Sequence, residues 1–307
     1  MDIYLPIAEV AVNAPLIVAL GALVGFISGM FGIGGGFLMT PLLVFFGVPA
    51  PVAVGSMANH VAASSMSSVI AYSRRRAVDL RMGAVLATGG VIGAYAGVEI
   101  FRLLRLLGQA DLVVSVSYLV FLSVIGGLML TESLGAILRR RRGEPQPPHR
   151  DRRPVWLYGL PLKMRFPRSR LYISVIPPLL LGAFVGMLSA IMGVGGGFIL
   201  VPAMVYLLRM PAGMVVGTSL LQIIITTALT GVLQAGRNQT VDIVLATLLL
   251  VGGVMGAQLG ARASARFRAE ELRAILALIV LLVGLRMGLG LFFRPEEPFI
   301  LMSGMGG

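Results

Sequence analysis

The strongest constraint on the fold is a series of long segments without charged side chains, such as Met82–Val98, Leu112–Thr131 and Ala274–Leu285. A helix needs about 20 apolar residues to cross a bilayer core of about 30 Å. Composition agrees, because 57% of the residues are hydrophobic and 12% are charged, whereas soluble domains carry about 25% charged residues. The sequence therefore predicts an all-α polytopic membrane protein.

Two similar glycine-rich segments, MFGIGGGFLMTPLL at 30–43 and MGVGGGFILVPAMV at 192–205, indicate an internal duplication. The match extends to Asp79 and Asp242 and to the glycines that follow each aspartate at four-residue spacing. Each half contains the same five apolar elements in the same order. The predicted organisation is a first transmembrane repeat at 1–131, a basic cytoplasmic linker at 132–171, a second repeat at 172–293 and a C-terminal tail at 294–307.

The positive charges of the loops predict how each half lies in the membrane. Lys and Arg concentrate in cytoplasmic loops, which places 74–76, 132–171 and 262–273 inside and 102–111 and 235–242 outside. Equivalent loops of the two halves thus carry opposite charge bias, as two inverted repeats would. A parallel repeat, in which the short elements only re-enter the membrane, is the alternative.

The second element of each half is too short to cross a membrane and begins directly after three glycines. Glycine tolerates backbone angles that other residues avoid and allows close approach to its N–H group. The first N–H groups of a helix lack intrahelical partners and carry positive partial charge, which favours an anion. We therefore expect two half-helices, each after a GGG break, to form one anion site. Its backbone residues are Gly34, Gly35, Gly36, Phe37, Gly195, Gly196, Gly197 and Phe198. Close packing of helices is the alternative reason for the glycines.

The third element of each half carries a stripe of polar side chains on one helical face. A polar face inside a membrane must contact protein or water. The candidate ligands on these elements are Ser56, Asn59, His60, Thr218, Ser219 and Gln222. Interhelical hydrogen bonding is the alternative role of the stripes. For His60, a proton-carrying role competes with a neutral imidazole bonded to a neighbour.

Other functional classes find no support in the sequence. The net charge of +12 is explained by cytoplasmic loops, so we expect no nucleic-acid partner. The absence of cysteine excludes disulfides and thiolate chemistry. GIGGGF superficially resembles a dinucleotide-binding loop, but it follows a membrane helix and has no βαβ context. We expect no enzymatic activity, no catalytic residues, no metal site and no cofactor.

The doubled GxGGGF…P pattern, together with the aspartates before the fourth elements, resembles the sulfite exporter TauE/SafE family of membrane transporters. The resemblance covers nearly the whole chain except the linker and the tail. It implies a small anionic substrate such as sulfite, an organosulfonate or another sulfur-containing or organic anion. The two copies differ, since Asn59-His60 corresponds to Leu221-Gln222, so the site is expected to be asymmetric.

These observations predict a secondary transporter that moves a small anion across the lipid bilayer. Whether a proton or sodium serves as coupling ion, and whether the protein forms a homo-oligomer, stays open. A passive anion channel and a membrane scaffold without transport are the rival functions.

Overall fold

The computed structural model describes residues 2–31, 34–74, 77–141, 161–169, 171–263 and 269–292. The first half begins with a hairpin of strands β1 (Asp2–Leu5) and β2 (Val10–Asn13). Five helices follow: α1 (Ala14–Phe31), α2 (Gly36–Phe45), α3 (Ala50–Arg74), α4 (Leu80–Leu106) and α5 (Ala110–Arg141).

The second half repeats this order. Strands β3 (Lys163–Phe166) and β4 (Leu171–Ser174) form its hairpin. Its helices are α6 (Ile176–Met192), α7 (Gly197–Tyr206), α8 (Ala212–Leu233), α9 (Ile243–Ala263) and α10 (Ala269–Phe292), with a π-helical turn, Gln234–Asn238, after α8.

The predicted all-α membrane class is confirmed. Among the described residues, five helical stretches are long and apolar enough to cross a membrane. The tail at 294–307 and half of the linker lie outside the described residues. The two predicted boundaries of the linker fall inside α5 and inside β4. The uncharged run of α5 ends at Thr131, whereas the helix itself continues to Arg141. Apolar length alone therefore does not predict where this helix ends.

The two halves interlock through their first and fourth helices. α1 packs along α9, and α6 packs along α4. Gly25 lies against the backbone of Gly253, and Gly29 lies one turn further on against Ala257, so α1 and α9 run parallel. The equivalent pair is arranged in the same way. Small residues at four-residue spacing allow this close approach of helix backbones.

The third and fifth helices pair with their own counterparts, and both pairs run antiparallel. In the α5–α10 pair, Gly126 contacts Val280 and Gly288 contacts Leu119. In the α3–α8 pair, the start of each helix lies beside the segment that follows the other. Antiparallel packing of equivalent helices is the geometry that two inverted halves would give. The orientation of the two halves in a membrane stays a prediction.

Two buried aspartates define the two ends of the molecule. At the Asp242 end, the carboxylate accepts a hydrogen bond from the Ile7 amide of the first hairpin at 3.0 Å. The Asp242 amide donates to Ser56 Oγ near the start of α3, also at 3.0 Å. At the Asp79 end, Ser169 of the second hairpin donates to the carboxylate, and the Asp79 amide donates to Thr218 Oγ1 near the start of α8.

These contacts show the path of the short helices. The hairpin before α1 and the start of α3 meet at the Asp242 end. α1 therefore runs into the molecule from this end, and α2 runs back toward it. α6 and α7 do the same from the Asp79 end. The short helices therefore turn back inside the molecule. Three helices per half run from one end to the other, so these contacts place the two halves in opposite directions. An inverted repeat in a membrane stays a prediction.

Basic residues lie at both ends of the molecule. Arg74 lies at the Asp79 end with the second hairpin, whereas Arg105 lies at the Asp242 end, where its guanidinium donates to the Asn238 carbonyl.

We expect cysteines introduced as Ser73→Cys and Ala235→Cys, both at exposed positions, to react with a membrane-impermeant thiol reagent from opposite sides. The natural chain contains no cysteine that would interfere. Labelling of both from one side would contradict the inverted arrangement.

Candidate functional site

The two glycine breaks have a backbone conformation that requires glycine. Gly34 and Gly35 have φ of 88° and 61°, and Gly195 and Gly196 have φ of 79° and 78°. This left-handed region is strongly disfavoured for branched side chains. In the first break, the Gly36 amide donates to the Gly34 carbonyl at 2.6 Å, which closes a tight turn directly before α2. The breaks are therefore ordered turns and not loosely packed segments of the chain.

The structure brings the two breaks together. Gly36 lies against the backbone of Gly193 and Val194. The rings of Phe37 and Phe198, which follow the breaks, stack with their centroids 4.6 Å apart and their planes within 5°. The N-termini of α2 and α7 thus meet between the halves, as the sequence predicts.

These helix N-termini offer backbone donors. In the described part of the chain, no backbone acceptor is bonded to the amides of Gly195, Gly196, Gly197 and Phe198. Tyr118 of α5 bridges the two breaks, because its hydroxyl donates to the Met192 carbonyl at 2.8 Å and lies 3.4 Å from the Gly36 carbonyl oxygen. The sequence analysis did not identify Tyr118.

Apolar side chains of the third helices close the breaks on one side. Val61 contacts both Gly34 and Gly195, and Ile223 contacts Gly34. Val61 and Ile223 occupy equivalent positions in α3 and α8. An apolar wall beside buried amides lowers the local dielectric, which strengthens the interaction of those amides with a bound charge.

The predicted ligands His60 and Gln222 lie in equivalent places. The His60 ring is buried against Gly253 of α9, and the Gln222 amide is buried against Gly90 of α4. His60 Nδ1 lies 2.8 Å from the Leu249 carbonyl oxygen, so this nitrogen carries the hydrogen. His60 Nε2 and Gln222 Oε1 are buried without a hydrogen-bond partner.

Other predicted ligands make contacts within the protein. Ser56 and Thr218 bond the aspartate loops at opposite ends of the α3–α8 pair, away from the breaks. Ser219 Oγ donates to the Val216 carbonyl at 2.8 Å. The Asn59 side chain packs against Gly231 of α8. These four side chains make hydrogen bonds or packing contacts that need no ligand.

Two serines beside the breaks were missed. Ser28 of α1 lies against Gly35, and Ser189 of α6 lies beside Gly196. Both hydroxyls are buried without a hydrogen-bond partner, whereas Ser68 and Thr230 bond carbonyls of their own helices. A signal existed, because each serine is the only strongly polar residue of its helix and the two occupy equivalent positions in the duplication. Within the described residues, no cluster of His, Cys, Asp or Glu could hold a metal ion.

Comparison with known proteins decides the family. The family model of sulfite exporter TauE/SafE proteins matches residues 17–287. The chain belongs to this family. A TauE/SafE protein is a membrane transporter, so this chain is an integral multi-pass membrane transporter, and the family is not one of enzymes. None of the solved structures is a match.

Individual relatives of this TauE/SafE protein carry transporter names. A "Probable membrane transporter protein" of Xylella fastidiosa is 32% identical over 238 residues, which cover 77% of this chain and 79% of that protein. A "Probable membrane transporter protein" of Bacillus subtilis is 27% identical over 240 residues, covering 78% of this chain and 86% of that protein. The "Sulfite exporter TauE/SafE family protein 3" of Arabidopsis thaliana is 30% identical over 123 residues, covering 39% of this chain and 26% of that protein.

Proposed function

We propose that the protein is a secondary transporter of a small anion, with sulfite or an organosulfonate as the leading substrate. The observation that carries this proposal is the meeting of two helix N-termini at glycine breaks whose backbone conformation requires glycine. Among the described residues, no backbone acceptor is bonded to the amides of the second break. A small oxyanion presents several acceptor oxygens and would satisfy such donors. The name of the Arabidopsis relative, a sulfite exporter family protein, supports the choice of sulfite.

Charge and size of the site favour such a substrate. Partial positive charge at a helix N-terminus attracts an anion without a full cation in the membrane. The hydroxyls of Ser28 and Ser189 can add two donors, one beside each break. The apolar contact between Phe37 and Phe198 occupies the space between the breaks, so a ligand at the amides would have to be small.

Transport through re-entrant helices requires that the site opens to one side at a time. The first break is reached by helices that enter from the Asp242 end, and the second by helices that enter from the Asp79 end. Rocking of one half against the other could therefore expose the same site alternately. The stacked phenylalanines would separate the two access routes.

A flux assay in proteoliposomes tests the proposal. Purified protein would be assayed with sulfite, methanesulfonate, sulfate, chloride and a neutral sugar as probes. We expect saturable flux of one or more of the sulfur anions and counterflow, in which external anion exchanges with the same anion inside. Flux without saturation or counterflow would favour a passive channel. No flux of any anion would overturn the proposal and favour a scaffold.

The serines give a graded test of the site. We expect Ser28→Ala and Ser189→Ala each to raise the KM of the transported anion about tenfold or more. A hydrogen bond to a charged group contributes about 1.5–3 kcal/mol, and 1.4 kcal/mol corresponds to a factor of about 10 in affinity. Ser68→Ala is the matched control, because Ser68 is equally buried but its hydroxyl already bonds the Ser64 carbonyl. If all three variants had the KM of the wild-type protein, neither Ser28 nor Ser189 would bind the anion.

A further inference from the structure

His60 has one ring nitrogen that the fold does not use. Nδ1 donates its hydrogen to the Leu249 carbonyl of α9, so in the neutral ring Nε2 holds a free lone pair. Nε2 is buried without a partner, and the whole side chain is shielded from solvent. A buried acceptor without a partner costs free energy, so a merely structural role would leave this atom unexplained.

The described residues around His60 provide no counter-charge. Within α1, α2, α6 and α8 there is no ionisable side chain, and α9 has only Arg262 at its far end. On α5, which also packs against α3, Asp111 accepts the Ala50 amide and the Tyr118 hydroxyl bonds Met192. Asp242, just before α9, accepts the Ile7 and Leu245 amides. A protonated imidazole at this site would therefore need a charge from outside the protein.

The next residue along the chain connects His60 with the breaks. Val61 contacts Gly34 and Gly195, so the imidazole lies one residue from the side chain that lines both breaks. Gly253, which the ring contacts, packs on Gly25 of α1, less than one turn before Ser28. These contacts connect the imidazole with the breaks, and in an apolar interior the charge of an anion held there would favour the charged imidazole.

We propose that His60 is the proton carrier that couples anion movement to the proton gradient; this rests on the proposed function. The Nε2 lone pair takes a proton from water on the entry side when the anion binds. When the site opens to the exit side, the anion and the proton on Nε2 become accessible together, and Nε2 returns the proton to water there. One proton moves with each anion, so transport of a singly charged anion moves no net charge.

The second half supplies the substitution that tests this role. Gln222 occupies the position equivalent to His60, packs against the equivalent glycine, and also leaves one polar atom without a partner. A glutamine therefore fits this kind of cleft, and its amide can replace Nδ1 as donor to the Leu249 carbonyl. It cannot take up a proton at neutral pH. His60→Gln thus removes the titratable nitrogen with little change in packing.

Proteoliposomes that contain an internal pH dye, with sulfite and methanesulfonate as probes, separate the outcomes. For the wild-type protein we expect anion flux accompanied by proton flux, and accumulation of anion driven by a pH gradient. For His60→Gln we expect counterflow to remain measurable, because the anion is held at the breaks, but with a raised KM, because the favourable charge of the imidazolium is lost. Accumulation driven by the pH gradient and substrate-dependent pH change should both disappear.

Two results would overturn the proton role while leaving the proposed function intact. The first is wild-type anion flux without any proton flux, and the second is a proton-to-anion ratio in His60→Gln equal to that of wild type. Loss of counterflow in folded His60→Gln would also overturn it, because His60 would then contact the anion or support the site without carrying the proton. Absence of anion flux in wild type would instead refute the proposed function.

Discussion

Gly35→Val and Gly196→Val are each expected to abolish anion flux, by at least about a hundredfold, while inserted and folded protein remains. Both positions have positive φ, which valine adopts only with strain of about 1–3 kcal/mol. The added side chain would also press on Ser28 beside the first break, where a Cβ would lie 3.0 Å from the Ser28 Cβ, and on Val185 beside the second. The break must move, and the amides move with it.

The size of this effect follows from the number of donors that would be displaced. Each hydrogen bond to a charged group contributes about 1.5–3 kcal/mol. Loss of two or three of them would therefore weaken anion binding by a factor of about a hundred or more. Flux in proteoliposomes, normalised to the folded protein recovered by size-exclusion chromatography, is the measurement.

Gly47→Val is the matched control for strain. Gly47 follows α2 and also has positive φ, at 84°, but a Cβ there would meet no atom within 4 Å. It therefore imposes similar backbone strain without touching the breaks. We expect this variant to lose some stability and to keep its flux. If Gly47→Val lost flux as completely as Gly35→Val, backbone strain alone would explain both, and the anion site would have to lie elsewhere.

The helices and the breaks could be predicted because local sequence determines them. Apolar length identifies the long helices, and the triple glycines mark where α2 and α7 begin. The meeting of the two breaks is what the predicted inverted repeat would give, because inverted halves bring equivalent segments face to face. The stacking of Phe37 and Phe198 agrees with this prediction.

The polar stripes show what local sequence leaves open. Helical periodicity assigns Ser56 and His60 to one face of α3, but it says nothing of what that face meets along its length. Ser56 meets the Asp242 loop, 186 residues away in sequence, whereas His60 meets α9 in the interior.

The two hairpins were missed for a related reason. Their strands have only four residues each, and the first is anchored to the Asp242 loop through a contact between residues 235 apart.

The second large effect concerns the glycines that join the halves. Gly93→Val is expected to remove most of the folded protein rather than to reduce flux selectively. Gly93 of α4 faces the backbone of Ala183 on α6, and a Cβ there would lie 2.8 Å from the Ala183 Cα. Helix backbones cannot shift as a side chain can, so α4 and α6 would have to separate along their whole contact. Overpacking of a core typically costs about 1–3 kcal/mol when side chains can adjust, and we expect a larger loss here.

Gly127→Val distinguishes this collision from a general intolerance of valine in these helices. Gly127 lies within α5, and a Cβ there would meet no atom within 4 Å. Glycine is also a poorer helix former than most residues, so valine at this position is expected to leave the thermal midpoint in detergent unchanged or slightly raised. Gly93→Val should lower the midpoint by several degrees or yield only aggregate. If Gly93→Val instead gave a normal midpoint with no flux, α4 and α6 would have to separate readily, and their contact would belong to the moving part of the transporter rather than to its rigid frame.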